Sequence, residues 1–144
     1  MNTYFIKSIW GPGGVSYPAG DGLIDFSSKR SAERFAECDG FFLYETAGNP
    51  RTGNQGGRKS IYAQGTIHSG IIGVDWNNLV QHFWNVLVDF NKIVHPSNGI
   101  PLDVIRNILG MDKHSTIQRP GGLIKITDEQ FAALSLEFKN CLEK

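Results

Sequence analysis

The sequence predicts an α+β fold, a small curved mixed β-sheet or pseudo-barrel flanked by short helices. The chain has 144 residues, 40% of them hydrophobic, which suits one core. Strand-like and helix-like patterns follow one another in the order β, α, β, β, β, α, β, α. No internal repeat, heptad run or linker divides the sequence. We therefore expect a single domain over residues 1–144.

The first third of the chain predicts a strand and a helix. Residues 3–9 alternate β-branched, aromatic and polar side chains, and the glycine-proline cluster at 11–14 ends this strand. Residues 15–27 read as irregular or short extended chain. Ala32, Phe35 and Ala36 recur at helical spacing and predict an amphipathic helix over 28–38.

A long hairpin is predicted next. Asp39-Gly40 turns the chain into an apolar strand at 41–46, and a returning strand runs over 59–68. Between them lies a polar, glycine-rich loop at 47–57. Two residues can close a hairpin, so this loop is longer than strand pairing requires.

The second half predicts one strand, a helix, a short strand and a last helix. Residues 70–79 fit neither period, whereas 82–94 is rich in aromatic and β-branched residues and predicts a strand. Residues 100–109 predict a helix with Pro101 at its first position and Gly110 just beyond its end. After a strand at 121–126, Thr127 and Gln130 form a capping box that opens the C-terminal helix.

Composition narrows the class of protein. Lys and Arg total 14 and Asp and Glu total 14, so any contact with nucleic acid must be local. Cys38 and Cys141 match no metal or redox spacing and are expected to be reduced thiols. No secretory leader is recognisable, and no apolar run reaches the ~20 residues that span a bilayer. We expect a cytoplasmic protein without a membrane partner.

Motifs for cofactor, metal and covalent chemistry are missing from the sequence. Arg58 occupies the position before Lys59-Ser60 where a phosphate-binding loop needs glycine. The glycines at 11–14 lack the dinucleotide pattern, and the four histidines are scattered. No nucleophile elbow is present. We predict no cofactor, no metal and no catalytic residue, which favours a binding module over an enzyme.

Aromatic and polar residues at the predicted strand ends are candidates for a ligand pocket. Stacking on an aromatic side chain contributes roughly 1 to 3 kcal/mol per nucleobase and needs no positive charge. Trp84 also fits a role in the core, because its strand is apolar. The predicted base-pocket residues are Trp10, Tyr44, Glu45, Thr46 and Trp84.

Basic residues near these strand ends are candidates for phosphate contacts. Each backbone contact needs only one well-placed cation, although a solvated surface is the alternative for each of them. The predicted phosphate-binding residues are Lys29, Arg51, Arg58, Lys59 and Arg119.

Four segments carry a resemblance to known domains. The strand pair formed by DGFFLYET at 39–46 and RKSIYAQGTI at 58–67, together with NGIPL at 98–102 and RPGGLIKITDEQF at 119–131, resembles the PUA-like superfamily, in particular EVE-type domains, which are related to YTH and ASCH domains. The resemblance implies a barrel whose mouth holds one nucleobase, often modified, between aromatic side chains. The chain departs from it in having Asp39-Gly40 where Gly-Asp is customary, and in its long loop.

The resemblance implies a reader of a modified base, plausibly cytosine or adenine, in nucleic acid. We expect DNA rather than RNA, with the base flipped from the duplex, and a link to restriction through a nuclease subunit or a fused nuclease domain. In this reading, Glu45 accepts a hydrogen bond from an exocyclic amine. One alternative is an ASCH-like hydrolase of modified nucleosides, with Lys59, Glu45 and Thr46 as base, acid and nucleophile. Another is a protein-interaction or small-ligand domain.

Overall fold

The computed structural model describes residues 2–9, 22–26, 28–48, 56–75, 83–112 and 122–143. In these ranges seven strands and three α-helices follow one another, with a 3-10 helix at Pro96–Asn98. The strands are β1 Tyr4–Ile9, β2 Leu23–Phe26, β3 Gly40–Glu45, β4 Ser60–Asp75, β5 Phe83–Ile93, β6 Ile100–Pro101 and β7 Leu123–Ile126. The helices are α1 Lys29–Ala36, α2 Leu102–Leu109 and α3 Asp128–Leu142.

The described strands form one mixed sheet, which confirms the predicted α+β class. Its order is β2-β5-β4-β3-β1-β7, with β6 paired to the start of β4. The pairing of β1 with β3 is parallel, and the other pairings are antiparallel. The predicted hairpin of β3 and β4 is therefore present.

The sheet curls strongly. Lys7 on β1 places its ammonium 4.7 Å from the ring centroid of Phe26 on β2. These strands are separated by β5, β4 and β3, so a flat sheet would hold them four spacings of about 4.8 Å, or about 19 Å, apart. A lysine side chain cannot span that distance. The contact therefore requires the sheet to bend back on itself, as the prediction of a curved sheet implied.

Bulges in β4 explain the curvature and a missed prediction. Its register against β5 shifts between Gln64 and Gly65, between Ile67 and Gly70, and between Ile71 and Gly73. Such irregularities bend a strand. At Gly65 a Cβ would lie 2.7 Å from the Phe41 ring and 2.4 Å from the Asp89 carbonyl oxygen, so only glycine fits. The same bulges interrupt the alternation, which is why the predicted strand stopped at residue 68 although β4 continues to Asp75.

Two cores cover the two faces of the sheet, and each has its own helices. The inner face packs against α1, and its buried residues include Phe5, Phe26, Phe35, Phe41, Leu43, Tyr62 and Val86. The outer face packs against α2 and α3, and its buried residues include Ile6, Phe42, Tyr44, Ile61, Ile105, Leu134 and Phe138. All six residues of β3 are buried, as expected for a central strand covered on both sides.

Aromatic contacts dock the helices. Phe35 of α1 is fully buried, with its ring centroid 5.1 Å from that of Phe26 and 4.9 Å from that of Phe41. On the outer face, Phe131 of α3 stacks on Tyr4 at 3.8 Å and lies 5.2 Å from Phe42. Burying one such phenyl ring contributes about 1.5 to 3 kcal/mol.

The helix ends agree with the sequence signals except at Pro101. The Thr127–Gln130 capping box is present, and Gly110 ends α2 in the left-handed conformation, with φ of 68°. The prediction that Pro101 is the first helical residue is wrong. Ile100 and Pro101 pair with Ile61 and Ser60 as β6, so the extended Pro101 caps the helix from outside and α2 begins at Leu102.

None of the helices in the described part of the chain combines the length and apolar character needed to cross a bilayer.

Candidate functional site

The parallel pairing of β1 and β3 brings the end of β1 beside two of the predicted pocket residues, Glu45 and Thr46. Ile9 lies opposite Glu45, and the Thr46 main-chain N–H donates to the Ile9 carbonyl at 3.0 Å. Trp10 follows Ile9 in the sequence and lies outside the described residues. The end of β1 is thus fixed directly beside Glu45 and Thr46.

The buried carboxylate of Glu45 fastens the two ends of the glycine-rich loop. It is only 2% exposed, and its Oε1 accepts a hydrogen bond from the Arg58 main-chain N–H at 2.8 Å. One step outward, the Gly57 N–H donates to the Ala47 carbonyl at 2.8 Å. The Thr46 hydroxyl donates to the Gly48 carbonyl at 3.0 Å. These contacts hold residues 46–48 against 56–58 on either side of residues 49–55.

Arg58 and Lys59 are exposed at this loop stem. Lys59 has a φ of 52°, which makes it a left-handed non-glycine residue among the described residues. That conformation costs an L-residue roughly 1 to 2 kcal/mol. Backbone strain of this kind is concentrated at functional sites, which makes Lys59 a candidate functional residue.

Lys29, a further predicted phosphate contact, lies on helix α1. Lys29 is exposed on the first turn of α1 and forms a 3.8 Å ion pair with Glu33. Helix α1 approaches β4 near Gly70, towards the opposite end of that strand from Arg58 and Lys59. That contact is made by Ala36, seven residues after Lys29, so the phosphate role of Lys29 stays a prediction. Arg51 and Arg119 lie outside the described residues.

Tyr44 faces the outer core. Its side chain is 3% exposed and packs among the residues that α2 and α3 cover. Burial raises the pKa of its phenol to about 12, and the nearby Arg106 charge acts in the opposite direction. The structure does not bring the Tyr44 ring together with Trp84, so Tyr44 supports the site from behind the sheet.

Trp84 lies on the inner face. It pairs in register with Phe26 of β2 and with Val74 of β4, and its partly buried side chain packs against the inner core. Trp84 therefore contributes to the margin of the inner core, and its role in a base pocket stays a prediction. Phe26, its register partner on β2, is the residue that Lys7 contacts.

Sequence reasoning missed Lys7. Its side chain is 9% exposed, and its ammonium lies over the Phe26 ring and 2.8 Å from where a Cβ on Gly122 would stand. Burying a charge costs several kcal/mol unless other groups compensate for it. The signal was present in β1, because Lys7 shares its parity with the inward-facing Phe5 and Ile9.

A groove lies beside β6, whose Pro101 pairs with Ser60 at the start of β4. This open groove of about 580 Å³ runs between the 3-10 helix and the end of α3, with Val94, His95, Pro101, Cys141 and Leu142 in its walls. Within the described ranges, no three His, Cys, Asp or Glu side chains lie close enough to hold a metal ion.

Comparisons with known proteins place the fold. No protein-family model and no curated protein matches the chain. Solved structures do match. The Mmi1 YTH domain in complex with RNA has a TM-score of 0.65 and 11% identity, covering 99% of this chain and 80% of that one. The chain has a YTH-like fold.

A second structure of the Mmi1 YTH domain gives a TM-score of 0.62 at 13% identity and covers 99% of this chain and all of that one. A third, the YTH domain-containing protein Mmi1 with RNA, gives 0.57 at 12% identity, over 94% and 81% of the two chains. The likeness concerns the fold alone. The EVE assignment itself stays a prediction.

Proposed function

We propose that this chain is a nucleic-acid-binding module that takes up one nucleobase, with modified bases as candidates, where β1 and β3 end. The observation that carries the proposal is the hydrogen bond from Thr46 to Ile9 in the parallel β1–β3 pair. It sets the end of β1 beside a fastened loop stem with two exposed cations. The YTH-like fold adds support, because two of the matching Mmi1 YTH structures are complexes with RNA.

The roles follow from position. Trp84, with Trp10 after β1, supplies the aromatic surface for stacking a base, worth about 1 to 3 kcal/mol. Arg58 and Lys59, which are exposed at the loop stem, contact phosphates. Arg51 and Arg119 are further phosphate candidates from the sequence. Glu45 and Thr46 shape the site by fixing the loop stem, and Tyr44 packs behind it.

RNA is the first ligand to test, in single-stranded form, since unpaired bases can be splayed onto aromatic rings without breaking a duplex. DNA was the preference from the sequence, and it forms the second arm of the experiment. The link to restriction and the nuclease partner belong to the hypothesis only if the ligand is DNA. A duplex substrate would add an unpairing cost of a few kcal/mol.

Fluorescence anisotropy with labelled single-stranded RNA and DNA of one sequence, carrying an unmodified or a methylated base at the centre, tests the proposal. Wild type is expected to bind RNA with an affinity that falls with salt. Trp84→Ala should weaken binding about five- to hundredfold, which is the stacking term expressed as affinity. Arg58→Ala should lower the salt slope by about 0.7, the value of one phosphate contact on a single strand.

Lys139→Ala is the matched control, because it removes one exposed cation from the outer helix α3. Its affinity should equal that of wild type. Lys29→Ala decides whether α1 also contacts phosphate. Urea unfolding of each variant separates lost binding from lost folding. Equal, weak binding by wild type, Trp84→Ala and Arg58→Ala to every oligonucleotide would refute the proposal.

The hydrolase alternative assigns the roles of base, acid and nucleophile to Lys59, Glu45 and Thr46. The Glu45 carboxylate accepts from the Arg58 main chain, the Thr46 hydroxyl donates to the Gly48 carbonyl, and Lys59 is exposed. Two of the three polar groups are thus engaged in holding the loop stem. The binding module is the function that this arrangement supports best.

A further inference from the structure

One row of paired residues crosses the end of the sheet that carries the proposed base site. From β1 to β6 the row runs Ile9, Glu45, Ser60 and Pro101, each opposite the next. Neighbouring strands lie about 4.8 Å apart, so Pro101 is three spacings, or about 14 Å, from Ile9 along the row. The end of β1 and the strand β6 therefore belong to the same edge of the sheet.

Exposed cations lie in the middle of this edge. Arg58 and Lys59 directly precede Ser60 in the chain, and both are exposed. Consecutive Cα atoms are about 3.8 Å apart, and the Cα atoms of an antiparallel pair are about 4.5 to 5.5 Å apart. The Cα atom of Lys59 is therefore within about 9 Å of the Cα atom of Pro101. A nucleic-acid strand whose phosphate contacts Lys59 can accordingly continue past β6.

The open groove beside β6 has room for a further nucleotide. Its volume of about 580 Å³ lies within the range of about 300 to 1,000 Å³ that small-ligand sites have. Its walls combine apolar and polar side chains, among them Val94, Pro101, Leu142, His95, Ser97 and Asn98. None of the described residues in these walls is an Asp or Glu, so no carboxylate there would repel a phosphate. Such walls suit a flat apolar ring with polar edges.

His95 supplies a ring surface in this groove. Its Nδ1 accepts a hydrogen bond from the Ser97 main-chain N–H at 3.2 Å and lies 2.7 Å from the Ser97 hydroxyl oxygen. These contacts hold the ring at the start of the 3-10 helix, whose Pro96 carbonyl accepts from the buried Ser60 hydroxyl at 2.6 Å. The groove wall is thus anchored to the residue that follows Lys59. Unpaired bases stack on histidine as they do on other aromatic side chains.

We propose that this groove is a second nucleotide subsite, in which another base of the strand bound at the β1 end stacks on His95. The inference rests on the proposed function. The single strand then crosses the edge of the sheet from the β1 end, past Arg58 and Lys59, to the groove. The span of about 14 Å corresponds to about four nucleotides at the 3.4 Å spacing of a stacked strand, and to fewer in an extended one.

The test uses a labelled single-stranded RNA nonamer with a methylated cytosine or adenine at its centre, so that four flanking nucleotides on each side can reach the groove in either polarity. His95→Asn keeps an acceptor for the Ser97 main chain but removes the ring, and it should weaken binding about fivefold or more. His95→Phe keeps a ring without that acceptor and should bind within about twofold of wild type. If His95 only capped the 3-10 helix, the two variants would rank in the opposite order.

The apolar wall provides a matched pair of variants on α3. Leu142 lines the groove and is 40% exposed, whereas Leu136 is 61% exposed and is not among the lining residues. Leu142→Ala should weaken binding of the nonamer about three- to tenfold, because part of the apolar contact with the base is lost. Leu136→Ala should bind like wild type.

Thiol protection gives a readout that needs no substitution. Cys141 lines the groove and Cys38 is buried, so N-ethylmaleimide should modify Cys141 of the folded protein. Bound nonamer should slow this reaction in proportion to the bound fraction. Free glutathione in the same solution is the control, because its rate reports any effect of the RNA on the reagent itself.

Urea midpoints establish that each variant is folded. A nonamer that binds wild type but leaves either the Cys141 rate or the affinity of His95→Asn unchanged would overturn this inference, and the proposed function would stand. Wild type that binds no nonamer at all would overturn both.

Discussion

The buried Glu45 carboxylate should contribute more to stability than any exposed ion pair, and its contribution should act through the main chain of Arg58. The bond is short, at 2.8 Å, and the acceptor is 2% exposed. A hydrogen bond to a charged group contributes about 1.5 to 3 kcal/mol, and truncation also leaves a donor unsatisfied. We expect Glu45→Ala to lower the free energy of unfolding by about 2 to 3 kcal/mol.

Two variants refine this expectation. Glu45→Gln keeps an acceptor of the same length and should lose about 1 kcal/mol, the value of the charge assistance. Arg58→Ala removes the side chain but keeps the main-chain donor, so it should change stability by less than about 0.5 kcal/mol. Arg58→Ala can therefore report on ligand binding without a change in folding.

Equilibrium urea unfolding measures these differences. With a slope of about 2 kcal/mol per molar urea, a loss of 2 kcal/mol moves the midpoint by about 1 M. Glu33→Ala is the control, because the Lys29–Glu33 pair is exposed on α1 and such pairs contribute about 0.5 kcal/mol or less. If Glu45→Ala shifted the midpoint no more than Glu33→Ala, the hydrogen bond from the Arg58 main chain to Glu45 would not stabilise the protein as we expect.

Three other predictions follow from single residues. Lys59→Gly should raise the free energy of unfolding by about 0.5 to 1 kcal/mol, because φ of 52° is unstrained only in glycine. Urea titrations measure this change, and a less stable variant would contradict it. The RNA affinity of the same variant should fall. Burial raises the pKa of Tyr44 to about 12 from its ordinary value near 10. The stability that this protonated phenol contributes is therefore fully present below pH 10 and is lost as pH rises through 12. Between pH 9 and 11.5, the free energy of unfolding of wild type should fall by about 2 kcal/mol more than that of Tyr44→Phe. Burial likewise raises the pKa of the Cys38 thiol to about 12, so at pH 8 a thiol reagent should modify Cys141 promptly and Cys38 only in denaturant; equal rates would be inconsistent with the structure.

Local signals in the sequence were sufficient for most of the elements. The Thr127–Gln130 capping box and the helical spacing of Ala32 and Phe35 each depend on residues of a single helix, and the structure confirms both. The bulges of β4 are different, because Gly65 is required by the Phe41 ring and the Asp89 carbonyl of other strands. No pattern within one segment could reveal them.

The site illustrates the same limit. Parity along β3 separates Tyr44 from Glu45, but only the fold shows that both side chains are buried. The partner of Glu45 is a main-chain N–H thirteen positions away, which leaves no trace in the residue types. The parity of β1 indicates that Lys7 faces inward, but its contact with the Phe26 ring depends on the curl of the sheet.

The hydrogen bonds that hold residues 46–48 against 56–58 do not involve the side chains of the segment between them. A doubling of loop length costs only about 0.6 kcal/mol of closure entropy. Foreign sequences of different length could accordingly be grafted between Gly48 and Gly56 without disturbing the hairpin. The crossing segment is thus an exchangeable part, through which ligand preference could diversify on an unchanged scaffold.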